Sequence, residues 1–165
     1  MENTPNKLTR ALKRVEAYPK FMQAWLIDKA IGNAVKLVGT SQIHFEELGH
    51  AKLVASLKNR KKIRNHIGQI HAAAMILLAE TATGILVGMN IPDSKVPLIK
   101  TLNTNFVRRT LGDMKAVATL TNAQIEQIHT TDKGETWVAV TVTDETGEEV
   151  IECKALWAWR LKDKR

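Results

Sequence analysis

Asn65, Gly68, His71 and Glu80 fall within one stretch, NHIGQIHAAAMILLAETATGILVGM, which runs from Asn65 to Met89. An asparagine, a turn glycine and a histidine make a loop that leads into a helix. The first helical amides, near Ala72 and Ala73, have no intrahelical acceptor and point outward with a partial positive charge. Such a terminus can hold an anion or a polarised carbonyl oxygen. Glu80 follows about two turns along the same helix, and the expectation is that it works within reach of those amides. Thr83 and Gly84, one turn further on, are small and leave room beside the carboxylate.

The stretch is apolar over about the length of a bilayer span, and Lys58 to Arg64 would be its basic flank. A carboxylate at the bilayer centre is costly, and Ala, Gly and Thr dilute the run. A helix buried inside a soluble fold is therefore the better reading.

Each candidate has a structural alternative. Glu80 could pair with Arg108, Arg109 or a histidine, because an unpaired buried carboxylate is expensive. His71 could cap the helix rather than touch a substrate. Arg108 and Arg109 could simply end a solvated strand, and the KNRKKIR run (residues 58–64) reads as a solvated loop. His66 reads as a loop residue. His44, His50 and His129 are scattered, so no metal-ligand spacing is present. Cys153 and the tryptophans at 137, 157 and 159 read as packing.

The elements that would position these residues are as follows. Helical spacing marks NKLTRALKRVEAY and KFMQAWLIDKAI, the second stopping at Gly32-Asn33. From Ala34, AVKLVGTSQIHFEE is rich in β-branched residues and predicts a strand, and AKLVASLK alternates as a second. After the apolar helix and the IPDSKVP loop, four strands are predicted: Ile99–Arg109, Lys115–His129, Thr136–Thr143 and Glu149–Lys162. TTDKGE and DETGEE have hairpin-turn chemistry. A helix apolar on nearly all sides must be covered on nearly all sides. An antiparallel sheet of about six strands curled round it, with a partner subunit covering the rest, is the α+β architecture expected. One domain over residues 1–165 is predicted, with 1–33 a helical extension and 34–162 the core.

The chain has 165 residues, 44% apolar and 25% charged, the make-up of a globular protein. Its one cysteine excludes an internal disulfide and a cysteine-rich metal site, which suits a reducing cytoplasm. The chain opens without a basic, apolar leader, which argues against secretion. A net charge of +7 points to an anionic partner.

The loop-and-helix motif resembles that of the hotdog-fold acyl-coenzyme A thioesterases, particularly the phenylacetate-pathway type. Those enzymes carry Asn or Gln, then Gly, then His-Gly-Gly, then Leu-Ala-Asp or Ile-Ala-Glu at the same relative positions. Here NHIGQIHAA and Leu78-Ala79-Glu80 match. The resemblance implies a hotdog fold and acyl-thioester hydrolysis. Ala72 N–H would polarise the thioester carbonyl. Glu80 would activate water or attack directly, facing the partner subunit's loop across a two-fold interface. Asn65 would orient substrate or water. His71 and Gly68 would shape the loop. Thr83, Gly84, Arg108 and Arg109 would line the substrate, the arginines near the coenzyme A groove. The family's Gly-Gly is Ala72-Ala73 here, so two methyl groups crowd the approach.

The resemblance further implies a homodimer or a dimer of dimers, acting on acyl-coenzyme A or an acyl-carrier thioester. No cofactor, metal, nucleic-acid partner or membrane partner is expected. A non-catalytic acyl-thioester binder on the same scaffold is the alternative. A dehydratase would want a His-Phe-Pro-Gly signature that the sequence lacks. A nucleic-acid binder would want its basic residues striped on one face.

Overall fold

The computed structural model describes residues 5–163; the first four residues of the expected helical extension lie outside them. Three helices come first: α1 (Lys7–Val15), α2 (Lys20–Ala34) and α3 (Lys36–Ser41). Strands β1 (His44–Leu48) and β2 (Lys52–Leu57) follow, then a single 3-10 turn and the long helix α4 (Ala72–Asn90). The chain continues as β3 (Lys95–Phe106), β4 (Met114–Thr119), α5 (Asn122–Thr130), β5 (Gly134–Asp144) and β6 (Glu149–Leu161).

The six strands form one antiparallel sheet in the order β1-β2-β4-β5-β6-β3. It curves round α4, whose Leu78, Ala79, Ala82, Leu86 and Val87 are fully buried. The inner residues of the sheet, among them Leu53, Ala55, Ala116, Ala118, Val142, Ile151 and Ala155, close over it. By length and composition α4 could cross a bilayer. It is instead the core helix of a fold of soluble α+β type.

The N-terminal helices are tied to this core through Asn6. Its side-chain oxygen accepts the Thr9 amide at 2.9 Å, capping α1, while its Nδ2 donates to the carbonyls of Gly88 and Ile91, both at 2.7 Å, at the end of α4. One buried side chain thus satisfies orphan groups at the ends of two helices.

Four expectations need correction. The strand expected from Ala34 is helix α3 until Ser41, and β1 begins only at His44. The cause is a close glycine contact: a Cβ on Gly39 would lie 2.6 Å from the Gly32 carbonyl oxygen, so α3 folds back on α2. Packing of this kind overrides β-branched propensity. The strand expected over Lys115–His129 is β4 followed by α5. Thr121 and Gln124 form a reciprocal capping box that starts the new helix. TTDKGE consequently joins a helix to a strand and is not a hairpin turn, whereas DETGEE does turn between β5 and β6, with Gly147 at φ 80°. The strand expected from Ile99 starts earlier, at Lys95, and runs through Pro97. Only an edge strand can hold that proline without losing a ladder bond.

Candidate active site

The loop before α4 is built by Asn65. Its Oδ1 accepts the amides of Ile67 and Gln69, both at 3.1 Å, and its carbonyl accepts the Gly68 amide at 3.1 Å. Gly68 sits at φ 78°, in the left-handed region that a side chain would strain. The Asn65 oxygen is therefore committed to the loop, and only its Nδ2 donors are left for a ligand.

His71 is the N-cap of α4, with its Nδ1 accepting the Ala73 amide at 3.1 Å. That bond requires an unprotonated Nδ1. The Ala74 amide bonds back to the His71 carbonyl at 2.8 Å. Among the described residues the Ala72 amide has no partner, and Ala72 itself is exposed. Of the amides that open the helix, Ala72 N–H is the free donor, with the helix dipole behind it.

Glu80 is half-buried and belongs to no salt bridge among the described residues. Burial pushes its carboxyl above the usual carboxylate range. The Thr81 hydroxyl opposes that shift, although its geometry falls short of a formed hydrogen bond. The carboxylate lines a crevice of about 200 Å³ with Val38, Gly84, Ile85, Pro97 and Trp157. Gly84 is required there, because a Cβ would approach the Trp157 ring to 2.8 Å.

One expectation about this geometry fails. Eight residues of helix separate Ala72 from Glu80, a rise of about 12 Å. A thioester carbonyl within reach of the Ala72 amide therefore lies beyond the Glu80 carboxylate of the same chain.

The other candidates are distributed as follows. Thr83 is fully buried; its hydroxyl accepts the Trp157 indole N–H at 3.0 Å and donates to the Ala79 and Glu80 carbonyls. It braces the crevice wall from behind. Arg108 and Arg109 lie beyond the end of β3. Arg108 bonds Asp144 Oδ1 at 2.8 Å, and that buried carboxylate also takes the amides of Leu111 and Thr146. Against the cost of burial, the Thr146 hydroxyl at 2.6 Å and these donors together hold Asp144 well below the usual carboxylate range. Arg109 is exposed. Among the described residues no group of three or more His, Cys, Asp or Glu comes together.

Trp157, Pro97 and Val38 were not legible as site residues. Trp157 alternates with Ala155 and Trp159 on β6 like any core residue, and nothing in the sequence pairs it with Gly84.

A family model described as a domain of unknown function (DUF4442) matches residues 23–159. No curated protein matches the chain at a significant level. Among solved structures, a Pseudomonas aeruginosa protein described as of unknown function and a probable thioesterase superposes with a TM-score of 0.76. It is 27% identical over 84% of this chain and 95% of its own. A thioesterase from Haemophilus influenzae gives a TM-score of 0.66 at 15% identity, over 84% of this chain and 90% of its own. A thioesterase family protein from Silicibacter pomeroyi gives 0.66 at 12% identity, over 82% and 96%. The fold is thioesterase-like, with the curved sheet and central helix of a hotdog.

Proposed function

This chain belongs to the DUF4442 family, and from that membership, its thioesterase-like fold and the setting of Glu80 we propose that it hydrolyses acyl thioesters at sites shared between two copies of itself. The observation that carries the reading is a half-buried carboxylate, unpaired with any cation among the described residues and raised in pKa, beside an edge strand. An acid so placed is a base in search of a proton.

The 12 Å rise from Ala72 to Glu80 supports the sharing. Strand β3 bonds only β6, so one edge of its twelve residues is open. It exposes Leu98, Ile99 and Phe106, and its Pro97 lines the Glu80 crevice. An open hydrophobic edge is a template for pairing. A second copy joined there across a two-fold axis would continue the sheet and bring its own Ala72 amide toward this Glu80.

In the proposed reaction, Ala72 N–H of one copy donates to the thioester carbonyl oxygen. Glu80 of the other takes a proton from water, and the hydroxide adds to the carbonyl carbon. The oxyanion develops against the amide and the positive end of the helix dipole. Collapse breaks the C–S bond, and Glu80 returns its proton to the thiolate. Asn65 Nδ2 would orient the water or the acyl group. The scheme needs no cofactor. The substrate would be an acyl-coenzyme A or an acyl-carrier thioester, the oligomer a dimer or a dimer of dimers, and the compartment a reducing cytoplasm, which suits the buried free thiol Cys153.

A panel of acyl-coenzyme A substrates followed with a thiol reagent tests the reading. Glu80→Gln should lower kcat about 10²–10⁴-fold, the usual worth of a general base, with an unchanged circular dichroism spectrum. Equal rates for the two proteins would remove Glu80 from the mechanism. The methyls of Ala72 and Ala73 favour a second reading, a non-catalytic binder. Calorimetric binding of the panel without turnover would select it.

A further inference from the structure

Tyr18, in the turn before α2, and Phe21 and Trp25, one turn apart on α2, are aromatic side chains open to solvent. They are 51%, 84% and 58% exposed, and Phe21 is the most exposed large apolar side chain among the described residues. The opposite face of α2, with Ile27 and Ile31, already packs on the core. A surface helix apolar on both faces has one face without a partner. The turn before α2 is pinned, since Gln23 Nε2 donates to the carbonyls of Glu16 (3.2 Å) and Tyr18 (2.8 Å).

The charge around these side chains is one-sided. Residues 7–41 hold seven Lys and Arg against two acids, so most of the chain's net +7 lies on these three helices. Lys13, Arg14, Lys20, Lys29 and Lys36 are exposed and in no salt bridge among the described residues. Of the two acids, Asp28 is committed to His44 Nδ1 at 2.6 Å and the Phe45 amide at 2.9 Å. Lys29 stands 6.0 Å over the Trp25 ring, and with Trp25, Asn33, Lys36 and Gln42 it lines a groove of about 610 Å³.

We propose that this face docks on an anionic lipid bilayer, with Tyr18, Phe21 and Trp25 at the headgroup level and the lysines against the lipid phosphates. Aromatic rings with lysines beside them, Lys20 next to Phe21 in the chain and Lys29 over Trp25, are what an interfacial helix presents, and lysine stems let the rings sink while the ammonium groups stay wet. A second copy of the chain fits worse, because it would set this cationic face against itself. The contact is peripheral, so it departs from the expectation of no membrane partner without making α4 a span. Val35 and Val38 of the Glu80 crevice flank Lys36. On the hydrolase reading, docking would hold that crevice near a bilayer that carries long acyl chains; the docking itself does not depend on that reading.

The test is sedimentation of the full chain with vesicles of phosphatidylcholine alone and of equal parts phosphatidylcholine and phosphatidylserine. Binding is expected to the second kind only, and to weaken as salt rises. Lys13→Gln with Lys29→Gln should weaken it about thirtyfold, at about fivefold per cation. Phe21→Ser with Trp25→Ser should abolish it, with the circular dichroism spectrum retained. Failure to bind the anionic vesicles, or binding indifferent to either pair, overturns the proposal. A fall in oligomeric mass in the serine pair also overturns it and assigns the face to a second copy.

Discussion

At the scale of single residues, Glu80 makes a thermodynamic prediction separate from its chemistry. Burial raises its pKa, so the native chain holds the Glu80 proton to higher pH than the unfolded chain does. The associated stability is present in full below the unfolded-state pKa and is lost as pH rises through the window up to the raised folded value. Glu80→Gln cannot ionise. It should melt a few degrees above the natural protein at neutral pH and converge with it in acid, below the ordinary glutamate range. Thermal melts at the two pH values check this. A natural protein as stable as the variant at neutral pH would mean that the carboxylate is better solvated than its crevice implies. The same shift should place an acid limb in the pH profile of kcat/KM, above the ordinary glutamate pKa.

Among the elements, the weakest sequence signals proved the most consequential. Asn6 is one polar residue before a helix in the sequence, yet it caps α1 and holds two carbonyls at the end of α4. Asn6→Ala should cost about 2 kcal/mol, the upper end for a lost cap, because it also strands acceptors on the central helix. A denaturant midpoint lowered with an unchanged slope would show this. The capping box of α5, Thr121-x-x-Gln124, lies inside the run that was expected to be a strand. The end of β3 matters similarly: because the strand stops at Phe106, Arg108 falls in the following loop and meets Asp144.

For the whole molecule, the decisive claim is that each site takes its acid and its amide from different copies. Ala72 is the first residue of α4, where proline is tolerated, and His71 before it is already extended at ψ 140°. Ala72→Pro therefore deletes the free N–H and leaves the helix standing, and should abolish the proposed hydrolysis. Mixing Ala72→Pro chains with Glu80→Gln chains should restore activity. Each mixed dimer carries one site with both parts intact, so random exchange yields about a quarter of the natural rate. No recovery after verified subunit exchange would confine both groups to one chain, where 12 Å of helix separates them.

The sequence alone determined the long central helix, its entry loop and the place of the acid. Each of these is local: an apolar run of helical length, a glycine at positive φ and an N-capping histidine are written in neighbouring residues. Four of the six strands were legible near their observed positions for the same reason, as alternation or turns. Tertiary structure decided the rest. Only packing shows that Gly32 meets Gly39 to make α3, that Gly84 makes room for Trp157 beside Glu80, and that Asp144 rather than Glu80 takes Arg108. These contacts join residues far apart in the chain, and their energy depends on fit between surfaces that no local pattern records.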